Sequence, residues 1–111
     1  MHRVREAGIR IALGTDSMHG YIGFEAQWVA EHGWTTSEAL LALTRGGGEL
    51  IGDPTVGVLR PGARADFVVL DGDPVADITA LAAPRQVYRE GVLAAERDGA
   101  VHAFRSGGPV A

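Results

Sequence analysis

Residues 8–20 read GIRIALGTDSMHG, and the fold turns on this stretch. Ile9, Ile11 and Leu13 alternate with Arg10, Ala12 and Gly14, a two-residue period that predicts a short strand whose faces meet different surroundings. Counting on by twos from Ala12 and Gly14 places Asp16 on the small-residue side, at the strand's carboxyl end. Barrel and open α/β enzymes keep their chemistry at that end, which makes Asp16 a candidate catalytic carboxylate. The same residue suits a turn or helix cap, its carboxylate accepting from a free backbone N–H. The local pattern leaves both readings open.

The rest of the composition narrows the class. At 111 residues the chain is one domain long, and 46% hydrophobic residues describe a globular protein able to bury one core. A net charge of -4 argues against nucleic acid or an anionic membrane as partner, since both require a clustered positive field. All ten basic residues are scattered arginines. Without lysine, the chain can form neither a Schiff base nor a carboxylated-lysine metal bridge. Without cysteine, disulfides, zinc ribbons and thiol catalysis are excluded. No apolar run approaches the roughly 18 residues of a membrane span, and the arginine-bearing start lacks a signal-peptide core. A cytoplasmic location is the default expectation.

Outward from the central stretch, Met1–Ala7 reads as a helix end running into Gly8, the favoured residue past a helix C-terminus. Beyond the loop that holds His19, Phe24–His32 reads as a helix with an apolar side of Phe24, Trp28 and Val29, stopped by Gly33. Thr35-Thr36-Ser37-Glu38 matches a capping box, opening a second helix from about Thr36 to about Leu50. Gly46-Gly47-Gly48 within it implies a frayed end or very close packing; no Gly-Lys-Ser/Thr follows to make it a phosphate loop. Past Asp53-Pro54 the pattern turns to short strands: Val56–Leu59 and Ala65–Leu70 around a type II turn at Pro61-Gly62, then Arg85–Glu90 and Val92–Arg97 as a hairpin. The continuous apolar run Phe67–Leu70 predicts a strand covered on both faces. Asp73 is placed to cap a one-turn helix beginning at Pro74. Asp66, Asp71, Asp73 and Asp77 lack the ligand ladder of a calcium loop and read as turn and cap residues. His2, His32 and His102 have no ligand spacing and read as solvated.

In this order, four motifs resemble the carboxyl-terminal third of the metal-dependent amidohydrolase superfamily, in particular its imidazolonepropionase and Xaa-Pro dipeptidase-like branch. They are the stretch from Gly8 to Ser17, the helix with Glu38-Ala39-Leu40, Gly57-Val58-Leu59-Arg60-Pro61-Gly62, and the segment from Ala65 to Pro74. The resemblance implies an α/β fold: the last strand and helices of a TIM-like (β/α) barrel, followed by part of a small β-sandwich, with the barrel incomplete if the chain stands alone. Residues 1–52 would be the barrel segment, 53–105 the sandwich portion and 106–111 a disordered tail.

It also implies that Asp16 is the metal ligand and general base, taking a proton from the attacking water, and that His19 contacts substrate. The implied cofactor is a divalent metal, zinc foremost, and the implied reaction is hydrolysis of a carbon–nitrogen bond in a small-molecule substrate. The family's His-x-His pair, its central lysine or glutamate and two later histidines have no counterpart here, so most metal ligands are absent and the isolated chain is expected to be inactive. A complementary amidohydrolase chain, or self-association through the unpaired strand and apolar helix faces, is the expected partner. The competing reading is a non-catalytic scaffold in which Asp16 is only a turn residue.

Overall fold

The computed structural model describes residues 2–15, 22–82 and 84–97. Helix α1 (His2–Glu6) closes as expected: the N–H groups of Ala7 and Gly8 donate to the Arg3 and Arg5 carbonyls at 3.1 and 3.0 Å, and Gly8 takes φ +70°. That left-handed conformation is the one a helix-terminating glycine supplies without a Cβ clash. Residues 9–15 then run on with no helix. The strand expected there has no ladder among the described residues, because a strand exists only through a neighbour to bond. Its backbone hydrogen bonds to the helices are the Ile9 N–H donating to the Val4 carbonyl at 3.3 Å and the Leu13 N–H donating to the Ala42 carbonyl at 3.0 Å.

Helix α2 (Ile22–Glu31) starts two residues earlier than the periodicity suggests, and it is turned differently. Its buried residues are Gly23, Ala26 and Val29, whereas Phe24 and Trp28 are about half exposed. Gly23 explains the rotation: a Cβ there would lie 2.9 Å from the Leu81 carbonyl oxygen, so the helix presents its small side to the 3₁₀ helix Ile78–Ala82. Helix α3 (Thr36–Leu43) carries the predicted box. The Glu38 N–H donates to Thr35 Oγ1 and the Thr35 N–H to Glu38 Oε1, both at 3.1 Å. Arg5 Nε adds bonds of 3.0 and 3.1 Å to the same carboxylate, which fastens α1 to the start of α3.

The single helix expected over Thr36–Leu50 is two helices. Thr44, at φ -114° and ψ -86°, breaks it, and α4 (Arg45–Ile51) continues to a left-handed Gly52 at φ +74°. The Thr44 hydroxyl donates to the Leu40 carbonyl at 2.8 Å, and the Thr44 carbonyl is packed against Gly57. Val56–Leu59 accordingly forms no strand: Gly57 sits at φ +78°, and the Val56 carbonyl lies against Gly48. The glycine run in α4 is therefore close packing, with Gly46 on the Ile11 carbonyl and Gly48 on that of Val56. At Arg60–Ala63 the Ala63 N–H donates to the Arg60 carbonyl at 3.0 Å and Gly62 takes φ +86°, as a type II turn requires.

Three antiparallel strands follow in the order β1-β2-β3: β1 (Phe67–Val69), β2 (Gln86–Arg89) and β3 (Val92–Glu96). Phe67 pairs with Tyr88 and their rings stack at 4.7 Å. The hairpin lies at Glu90-Gly91, both at positive φ (52° and 79°), the pattern of a two-residue turn matching strand twist. Strand β1 is shorter than the apolar run and is not covered on both faces, since Val68 is 48% exposed. Asp73 caps the segment after it as expected: its carboxylate accepts the Val75 N–H at 2.9 Å and its carbonyl the Asp77 N–H at 2.9 Å, a single helical turn that goes no further.

Packing joins the helices to the segment before Asp16. Ala26, Val29, Ala39 and Ile78 form the buried cluster, and Ile11, Leu13, Trp34, Leu43 and Leu81 pack against it. Small residues at the centre let α2 and α3 approach closely, and Ile11 and Leu13 use the remaining side of that seam. The 106–111 tail lies outside the described residues.

Candidate functional site

The segment that leads to Asp16 is held at three points. The Leu13 N–H bonds the Ala42 carbonyl. The Ile11 and Leu13 side chains enter the core cluster. The Ile11 carbonyl meets α4 at Gly46, where a Cβ would lie 2.5 Å from the oxygen. These contacts fix the chain as far as Leu13. Asp16 and His19 themselves lie outside the described residues, as does His102, and so does the side chain of His2.

His32 is exposed, as expected, yet it is engaged locally. Its Nδ1 is 2.6 Å from the Trp28 carbonyl oxygen and its ring stacks on Trp28 at 4.0 Å and 19°. Sequence reasoning missed this stack, although the four-residue spacing of Trp28 and His32 on one helix contains the signal.

The carboxylates after Gly52 are occupied by turns. Asp66 accepts the Glu90 N–H at 2.7 Å, and Asp71 pairs with Arg97 at 2.6 Å and Arg85 at 3.9 Å. Asp77 accepts the Thr79 hydroxyl at 2.6 Å and its N–H at 3.0 Å; Asp53 does the same with Thr55, at 2.6 and 2.9 Å. These donors hold the Asp77 and Asp53 carboxyls below the ordinary aspartate range, the hydroxyl acting more strongly than the N–H in each. For Glu38 the lowering comes first from the Thr35 N–H, then from the Thr35 hydroxyl, with Arg5 adding less.

Among the described residues no three His, Asp or Glu side chains come together to hold a metal ion. Zinc catalysis takes three protein ligands, so these residues do not fit a complete metal centre. Among the described residues no helix is long and apolar enough to cross a membrane.

Comparison with known proteins agrees with the motif order. The ochratoxinase of Aspergillus niger is 37% identical over 86 residues, which are 74% of this chain and 18% of the ochratoxinase. The imidazolonepropionase of Cutibacterium acnes is 39% identical over 74 residues, 61% of this chain and 19% of that enzyme. A crystal structure of a Xaa-Pro dipeptidase with methionine bound in its active site superposes with a TM-score of 0.78 at 28% identity, covering 83% of this chain and 24% of the dipeptidase. The chain thus spans about a fifth of the length of the curated relatives it matches. The model of the amidohydrolase family matches residues 1–93, and the chain belongs to that family.

Proposed function

We propose that this chain supplies the carboxyl-terminal part of a metal-dependent hydrolase that cleaves a carbon–nitrogen bond in a small molecule. The observation that carries the reading is the family match over residues 1–93, which takes in the Gly14-Thr15-Asp16 step directly after the segment anchored by Ala42 and Gly46. Residues 1–52 contribute the last strand and helices of a (β/α) barrel, and 53–105 contribute to a β-sandwich, of which the three-stranded sheet is the described part.

In this reading Asp16 is one ligand of a divalent metal, zinc foremost, and its general base. A carboxylate beside the attacking water accepts its proton and returns it to the leaving nitrogen. His19 contacts the substrate. The other metal ligands come from a segment that carries the His-x-His pair, so the chain alone binds less than one metal and has no turnover.

Complementation tests the reading. Mixed with an amidohydrolase segment bearing His-x-His and the two later histidines, the chain gains stoichiometric metal, measured by elemental analysis, and hydrolytic activity. Asp16→Asn loses both while its far-ultraviolet circular dichroism is unchanged. If the complemented assembly takes up no metal, or if Asp16→Asn retains it, Asp16 is a turn residue and the chain is a scaffold.

A further inference from the structure

We infer that Asp71-Gly72 is a site of spontaneous main-chain modification, at which the aspartyl link rearranges to an isoaspartyl one, and that the ion pair between Asp71 and Arg97 holds the reaction back. The inference stands apart from the hydrolase reading, since it involves no metal, no substrate and no second chain.

The rearrangement asks three things of an aspartate: a following nitrogen without a bulky side chain beside it, an N–H not engaged in a hydrogen bond, and a backbone outside helix and ladder. Among the described aspartates only Asp71 is followed by glycine. Asp53 and Asp73 precede prolines, which have no N–H to give up, and Asp66 and Asp77 precede Phe67 and Ile78. Among the described residues the Gly72 N–H donates to no other group. Asp71 and Gly72 are both exposed, in a bend between β1 and the 3₁₀ helix.

The step balances on these residues and water alone. With the carboxyl protonated, the Gly72 nitrogen bonds to Asp71 Cγ and a Cγ–O bond breaks. The oxygen leaves as water, taking the carboxyl proton and the Gly72 N–H proton, and a cyclic imide remains. Water then adds to one of the two imide carbonyls. Opening at Cγ restores the aspartate. Opening at the Asp71 main-chain carbonyl leaves the chain running through Cγ, with a methylene added to the main chain and the carboxylate carried on Cα.

The geometry supplies both the brake and the consequence. Asp71 Oδ2 lies 2.6 Å from Arg97 Nη2, and Oδ1 lies 3.9 Å from Arg85 Nη1. The Arg97 N–H donates to the Arg85 carbonyl and the Arg85 N–H to that of Val69, both at 2.8 Å. Asp71 is therefore a clasp across one end of the sheet, tying the chain that leaves β1 to the chain that enters β2 and the chain that leaves β3. Its carboxylate must let go of Arg97 before Gly72 can attack. Once rearranged, the carboxylate no longer extends from Cβ, and the clasp opens.

Incubating the whole chain at neutral pH in heavy-oxygen water, then digesting it with trypsin in ordinary water, tests the inference. Each imide that reopens takes up one heavy oxygen, read by mass spectrometry in the peptide 65–85, which trypsin cuts out after Arg64 and Arg85. The label should accumulate in that peptide together with an isomer of equal mass that separates chromatographically. Gly72→Ala should abolish both, and the fold should accept it, because the new Cβ meets only the Ala80 Cβ at an ordinary 3.5 Å. Arg97→Gln should speed labelling about threefold, the size of effect expected from one exposed ion pair, while Arg97→Lys keeps the original rate. No label in 65–85, or label that survives Gly72→Ala, would overturn the site. An unchanged rate in Arg97→Gln, or a faster one accompanied by loss of far-ultraviolet circular dichroism, would overturn the brake.

Discussion

Replacing Gly46 by alanine sets two effects of opposite sign against each other. Within a helix, Gly→Ala is favourable by about 0.5–1 kcal/mol because the unfolded chain loses freedom. Gly47 receives that gain alone, since nothing lies within 4 Å of a Cβ there. At Gly46 the added carbon would sit 2.5 Å from the Ile11 carbonyl oxygen, 3.3 Å from that of Leu41 and 3.5 Å from the Ala12 Cα. Ordinary contact begins at 3.4 Å, so a gap of about 0.9 Å (3.4 less 2.5) must open between α4 and the segment leading to Asp16. All three atoms are backbone and cannot rotate away. Overpacking of this kind costs about 1–3 kcal/mol, which leaves Gly46→Ala less stable than Gly47→Ala by that amount. Urea denaturation followed by circular dichroism resolves the difference, on the order of 1 M in midpoint for a chain of this size. Equal midpoints, or a higher one for Gly46→Ala, would falsify the claim that this glycine seats the segment.

Other substitutions probe the caps and turns. Thr35→Ala removes one half of the capping box and should destabilise by about 1 kcal/mol, seen as lost helical signal on mild heating. Glu90→Asn should stabilise the hairpin by roughly 0.5–1 kcal/mol, because asparagine tolerates the left-handed conformation that Glu90 adopts at φ 52°; an unchanged melting temperature contradicts it. Acid should weaken the fold. The Glu38, Asp53 and Asp77 carboxyls lie below their ordinary values in the folded state, so their contribution is complete above those values and is lost as pH falls through the lowered ones. Stability measured between about pH 5 and pH 2 should fall on acidification, and Thr79→Val should move the Asp77 carboxyl carbon titration seen by NMR back toward the usual aspartate range.

The parts of the fold legible in the sequence are those decided within four residues. The capping box at Thr35–Glu38, the helix end at Gly8, the turn at Gly62 and the hairpin at Glu90-Gly91 each follow from local hydrogen bonding or positive φ. The parts that were not legible depend on distant neighbours. Gly57 against the Thr44 carbonyl splits one expected helix into two and removes an expected strand. Leu81 against Gly23 turns Phe24 and Trp28 outward from α2. The Ile78–Ala82 turn gave no periodic signal, although Asp77 and Thr79 form the side-chain motif that starts it. For the site, the motif order identified the family, and the contacts of Ile11 and Leu13 supply the support behind Asp16.

The alanine-rich seam has a consequence for how this protein is handled. Among the described residues the buried hydrophobic ones are Ala26, Val29, Ala39, Ala42, Ile78 and Ala94, while Leu50, Ile51 and Leu59 are each more than two-thirds exposed. Burial of a leucine or isoleucine is worth about 1.5–3 kcal/mol, so much of the greasy bulk contributes nothing until something covers it. A melting temperature measured on the chain by itself therefore reports a core built mostly from alanine, and any surface that covered Leu50, Ile51 and Leu59 would raise it.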